Sequence, residues 1–126
     1  MEQFFSLKNK VAAVTGGTRG IGKGIAIGLA EAGADIALLQ RSPEDTTTKK
    51  EIESLGTKCE IIPCDLEDSN QVRNAIPETI ERMGKLDILV NSGGIQHRSP
   101  AVDFSEEDWD SVLQVNLKAV WILCQQ

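Results

Sequence analysis

The chain has no tyrosine, a single histidine, three cysteines and only 4% aromatic residues in 126 positions. The cysteines, Cys59, Cys64 and Cys124, are odd in number and widely spaced. That pattern excludes a disulfide frame and a cysteine-built zinc site, and points to reduced thiols in a cytosol-like compartment. His97 stands in a polar stretch with no carboxylate or nucleophile beside it in sequence. It reads as an exposed loop residue, and no metal site is expected. No apolar run approaches the roughly 18 residues that a membrane span requires. The opening Met1–Lys8 lacks the basic start and apolar stretch of a signal peptide, so the expected location is cytoplasmic. Positive charge is also scarce: net charge is −6 and the pI about 4.8. Nucleic acid and anionic membranes are therefore excluded as partners.

What is present is concentrated near the start. Thr15-Gly16-Gly17-Thr18-Arg19-Gly20-Ile21-Gly22 follows an apolar run, Val11–Val14, and opens a helical pattern from Ile21 to Ala32. Strand, glycine-rich turn and helix together form the context in which such a motif binds phosphate. Glycine admits a close approach and positive φ. The free N–H groups of the helix start then face the anion, helped by the helix dipole. Residues 10–33 thus read as a nucleotide-phosphate site. An overlapping near miss of a P-loop, Gly17 to Gly24, has glycine where a Ser or Thr should hold magnesium. Asp87 also precedes its apolar run, where an NTPase would want an acid at a strand's end. A dinucleotide is the better reading.

Strand and helix alternate throughout. Strands are expected at 10–15, 35–40, 58–62 and 87–91. Helices are expected at 20–32, 43–55 and 69–83, and from a Ser105 cap to the end. Pro77 should kink or interrupt the third helix. This alternation in one domain spanning 1–126 predicts a doubly wound parallel sheet of Rossmann type, three layers αβα, ending after the fourth strand and its helix. Its ligands bind beyond the carboxyl ends of the strands.

Four motifs in order resemble the short-chain dehydrogenase/reductase family: Thr15, Gly16, Gly20 and Gly22 in the glycine turn; Asp65 after the third strand; Asn91-Ser92-Gly93-Gly94 for the family's NNAG; and Asn116 in the last helix. Gly94–Arg98 and Phe104–Asp110 are closest to its sugar-acid branch, although acyl carrier protein reductases are similar there. The resemblance implies hydride transfer with NAD(P) on a secondary alcohol or ketone of a sugar acid. It also departs from the family. The Tyr–Lys pair and the Ser of the family's chemistry have no counterpart in residues 1–126, nor does the fifth strand. These residues read as the cofactor half of a longer protein. A chain complete at Gln126 would instead be a non-catalytic NADPH-binding module. A methyltransferase-like domain is disfavoured, because it would want an acid where Gln40 stands.

Gln40 and Arg41 bear on the cofactor. Without a carboxylate at position 40 the ribose 2′-hydroxyl loses its usual partner, while Arg41 and Arg19 suit a 2′-phosphate. NADP(H) is expected, with NAD(H) as the alternative. Thr15, Thr18, Ile21 and the turn glycines complete the phosphate site. By resemblance, Asp65 and Leu66 flank the adenine, Asn91 ties neighbouring strands, and Gly93 lets the ribose pass. Asp65 is otherwise expected to cap the next helix or accept loop N–H groups. Asn116 is placed on the apolar face of the last helix. The resemblance gives it a catalytic water in a proton relay. Gln96 and Arg98 are candidates for the substrate's carboxylate. The apolar run Ala119–Cys124 is expected to be buried or to meet a partner, and the resemblance implies a homotetramer or dimer.

Overall fold

The computed structural model describes residues 2–126, with side chains from Phe4 onward. Four parallel strands, β1 (Val11–Thr15), β2 (Asp35–Gln40), β3 (Cys59–Pro63) and β4 (Ile88–Val90), lie in the order β3-β2-β1-β4. Ahead of them is a single turn, α1 (Glu2–Phe5); α2 (Gly20–Glu31), α3 (Thr47–Ser54) and α4 (Ser69–Met83) connect them. After β4 come a short 3-10 turn at Ala101–Asp103 and then α5 (Glu106–Leu113), a π-helical turn (Gln114–Lys118) and α6 (Ala119–Gln125). The Rossmann-type, doubly wound sheet expected from the alternation is the observed fold.

The three layers follow from the two-residue period of a strand. Ala12 and Val14 of β1, Ile36 and Leu38 of β2 and Ile61 of β3 point to one face, where Ala26 and Ala30 of α2 and Ile52 of α3 cover them. Ala13, Ala37, Leu39 and Ile62 point to the other, against Val72, Ala75 and Ile76 of α4 and Ala119, Ile122 and Leu123 of α6. Burial on both faces is why β1 and β2 read as continuous apolar runs. β4 pairs only with β1 and forms one edge of the sheet.

Three expectations are corrected. The second helix begins at Thr47, not Pro43, because the Gln40 amide donates to the carbonyls of Ser42 and Asp45 and holds the intervening residues in a turn. Asp45 then takes the Thr47 N–H on its carboxylate. Pro77 does not interrupt α4. It lies on the exposed face with Arg73, so the carbonyl it cannot serve is open to water. Finally, the buried face of the last helix is Val115, Ala119, Ile122 and Leu123, whereas Asn116, expected on the apolar face, is exposed. The π turn adds a residue to one helical turn and re-phases everything beyond Leu113.

Asp87 joins β4 to the start of β1. Its carboxylate accepts the Val11 N–H at 2.9 Å and pairs with Lys85 at 3.0 Å. The Val11 hydrogen bond first, and Lys85 second, hold its pKa below the ordinary 3.8. A carboxyl with a depressed folded pKa adds stability above its unfolded pKa and loses it as pH falls through the folded one. Asp87→Asn should therefore lower stability at neutral pH. Urea unfolding should show the gap to wild type closing below the ordinary value of 3.8. A gap independent of pH would exclude the charge as its cause.

Candidate dinucleotide site

The sheet order reverses between β1 and β4, so the chain ends of these two strands diverge and leave a crevice. A cleft of about 770 Å³ occupies it. Thr15, at the end of β1 and 1% exposed, locks the crevice floor. Its hydroxyl accepts the N–H groups of Ser92 at 3.0 Å and Gly93 at 2.9 Å, and donates to the Val90 carbonyl at 3.5 Å.

The glycine turn is built on close approaches. Gly16 and Gly20 have φ of 66° and 59°. A Cβ on Gly16 would lie 2.8 Å from the Ser92 carbonyl oxygen, and one on Gly22 would fall on the carbonyl of Gly16. The turn therefore folds against its own helix start and against the loop after β4. Arg19 occupies the N-cap of α2 in extended conformation, and no side chain caps that end. The first N–H groups of a twelve-residue helix are thus left for an anion.

Gly16, Thr18, Arg19, Gly20, Ile21 and Gly22 line the cleft, as do Gln40, Arg41, Asp65, Leu66, Gly93 and Gln96. Thr15 lies beneath it, and Asn91, Arg98 and Asn116 are outside its wall. Charge in the wall is mixed: Asp45, Asp65 and Glu67 oppose Arg19 and Arg41.

Several side chains do something other than expected. Gln40 is 4% exposed and turned into the β2–α3 turn, with Nε2 at 2.7 and 2.8 Å from two carbonyls and Oε1 buried without a partner. Asp65 does not cap α4. Asp68 does, accepting from Asn70 and Gln71, and Asp65 takes the other of its two expected roles, accepting the loop N–H of Glu67 at 3.0 Å. Gly93 is crowded by protein, since a Cβ there would lie 2.6 Å from Leu66 Cδ1. Asn91 donates to Cys124 Sγ at 3.6 Å, rather than to a strand. Arg98 Nη2 reaches Gln96 Oε1 at 3.4 Å.

Asn116, within the π turn, pairs with the backbone of Ile95 in both directions. Its Oδ1 accepts from N–H at 2.9 Å and its Nδ2 donates to the carbonyl at 2.8 Å. That brace sets the loop that forms the cleft's outer wall. His97, read as a bystander, lines the cleft, with Nε2 3.8 Å from Asp108 Oδ1. Ser92 and Thr48 were also missed. Ser92 follows Asn91 directly, a usable signal, whereas nothing in sequence singles out Thr48. Burial pushes the Cys59 thiol up to about 12 and that of Cys64 to about 11, so neither is a nucleophile near neutral pH. Among the described residues no three His, Cys, Asp or Glu side chains are placed to hold a metal. No helix among them is long and apolar enough to cross a membrane.

A parallel doubly wound sheet with a glycine turn at its switch point defines a Rossmann-type domain. Residues 10–126 match the family model described as short chain dehydrogenase. The chain belongs to the short-chain dehydrogenase family. It is 43% identical over its full length to 2-dehydro-3-deoxy-D-gluconate 5-dehydrogenase of Pseudoalteromonas atlantica, covering 50% of that protein. The enzyme of the same name from Escherichia coli K12 is 39% identical across 96% of this chain and 47% of its own length. A short chain dehydrogenase from Burkholderia cenocepacia, solved in complex with NADP, superposes with a TM-score of 0.90 at 42% identity, over 94% of this chain and 49% of that one. The chain thus spans about half the length of the curated relatives it matches.

Proposed function

We propose that the protein carrying this chain is an NADP(H)-dependent oxidoreductase. It moves a hydride to or from a secondary alcohol or ketone on a sugar acid of the gluconate type. The observation that carries this reading is the switch-point cleft, lined by an uncapped helix start and by Arg41 beside a buried Gln40. Backbone N–H groups of the glycine turn would hold the diphosphate, and Arg41 with Arg19 a 2′-phosphate. The nicotinamide would supply or accept the hydride. Two P. atlantica and E. coli relatives named for a gluconate derivative support the substrate class, and the NADP-bound Burkholderia structure supports the cofactor.

Asn116 would contribute to catalysis with what Ile95 leaves free. An amide has two donors and two acceptor lone pairs, so one of each remains to hold a water. Gln96, at the cleft wall, and Arg98, bonded to it, would face the substrate carboxylate. Trp109, Leu113, Leu117 and Trp121 stand four residues apart and exposed along the last helix. That apolar stripe supports a homotetramer or dimer, which light scattering on the intact protein would read; a monomer would reject it. Two buried, unpaired thiols fit a reducing, cytoplasmic setting.

The test is oxidation of NADPH by the intact protein, followed by nicotinamide absorbance, with keto sugar acids against a β-ketoacyl thioester. Turnover of a keto sugar acid is expected. Turnover of the thioester alone moves the substrate to the acyl carrier protein class. Tight NADPH binding with no turnover would leave the binding module.

A further inference from the structure

Among the described residues four polar side chains are buried: Thr15, Gln40, Thr48 and Thr79. Burying a polar group is unfavourable unless it is bonded, so the bonds each one makes are informative. Thr79 bonds back to Ala75 within α4. The other three all tie loops around the cleft. Thr15 holds the loop after β4, and Gln40 holds the β2–α3 turn. Thr48, which belongs to no recognised motif, reaches from the first turn of α3 to the carbonyl of Gly17 at 2.9 Å.

That bond acts on the glycine turn. The Gly17–Thr18 peptide is planar and trans, so its C=O and N–H point in opposite directions. Anchoring the carbonyl on α3 directs the Thr18 N–H away from α3. Thr18 itself lines the cleft, and its N–H makes no backbone bond among the described residues. Gly17 packs closely on β2, since a Cβ on it would meet Leu38 Cδ2 at 2.8 Å. The turn that delivers Thr48 is itself braced by the Gln40 amide and by the Asp45 carboxylate on Thr47.

We propose that Thr48 is a positioning residue of the nucleotide site, holding the Gly17–Thr18 peptide so that the Thr18 N–H faces a phosphate group of the cofactor. The inference rests on the dinucleotide reading above. It reaches a residue that touches no ligand and acts through a carbonyl.

Nicotinamide fluorescence titrations of the intact protein with NADPH and with NADH test it, on wild type, Thr48→Val and Thr48→Ser, below the melting temperature of each. Thr48→Val keeps the shape and removes the donor. It should weaken NADPH about tenfold, the scale of one lost buried hydrogen bond, while Thr48→Ser binds as wild type. A loss confined to NADPH places the N–H on the 2′-phosphate, and an equal loss for NADH places it on the diphosphate. Wild-type affinity in Thr48→Val, or equal damage in Thr48→Ser, overturns the proposal. Should Thr48→Val not fold, Thr48→Ala is read by the same outcomes. A wild-type protein that binds neither nucleotide instead overturns the functional reading itself.

Discussion

Gly22→Ala is expected to remove most of the nucleotide affinity, by about two orders of magnitude or ~2.8 kcal/mol. The cause is local. The new Cβ would fall on the carbonyl of Gly16, which is backbone and cannot swing aside as a side-chain tip does. Gly16 in turn lies against Ser92 and Gly93, where a Cβ of its own would come within 2.8 to 2.9 Å. Relief must therefore open the contact between the glycine turn and the loop after β4, and with it the floor of the cleft. Gly24→Ala is the control. Gly24 lies in the same helix with nothing within 4 Å of its missing Cβ, so alanine should stabilise by roughly 0.5–1 kcal/mol through helix propensity. NADPH titration and thermal melting of both variants check this. Unchanged affinity in Gly22→Ala would show that the turn does not bind the cofactor.

Arg41→Ala should separate the two cofactors. A charge-assisted bond to phosphate contributes about 1.5–3 kcal/mol, so NADPH affinity should fall roughly ten- to a hundredfold. NADH, which lacks the 2′-phosphate, should hardly change. Arg19 shares the cleft and sets a ceiling to the loss. Equal losses for both nucleotides would place Arg41 on the diphosphate or in the fold. An acid at position 40 is not the simple converse. Gln40 donates two N–H bonds inside the turn, and a carboxylate there would face the carbonyls of Ser42 and Asp45. The route from NADP to NAD preference at this position would damage the turn before it created a new contact.

The legibility of the fold varied with the kind of signal. β2 and α4 were readable to the residue, because a buried parallel strand is a continuous apolar run and Val72, Ile76, Ile80 and Met83 of α4 recur at helical spacing. The start of α3 was not. Pro43 fits a first helical turn locally, but the Gln40 amide reaches along the chain and imposes a different turn. The face of the last helix was misassigned for a related reason. A constant helical period puts Asn116 on the apolar face, and the π turn at Gln114–Lys118 breaks that period. Asn116 thereby moves from the apolar side to the Ile95 loop.

By itself the sequence determined the alternation of strands and helices, hence the parallel sheet, and the glycine turn at the end of β1. These follow from periodicity and from the steric uniqueness of glycine, which act over a few residues. Only the tertiary structure decided which polar groups are satisfied by which. Gln40 turned inward, Asp68 took the cap from Asp65, and Thr48 found the Gly17 carbonyl 31 positions away in the chain. A buried hydrogen bond depends on two segments meeting at a distance set by packing, and neither segment records its partner.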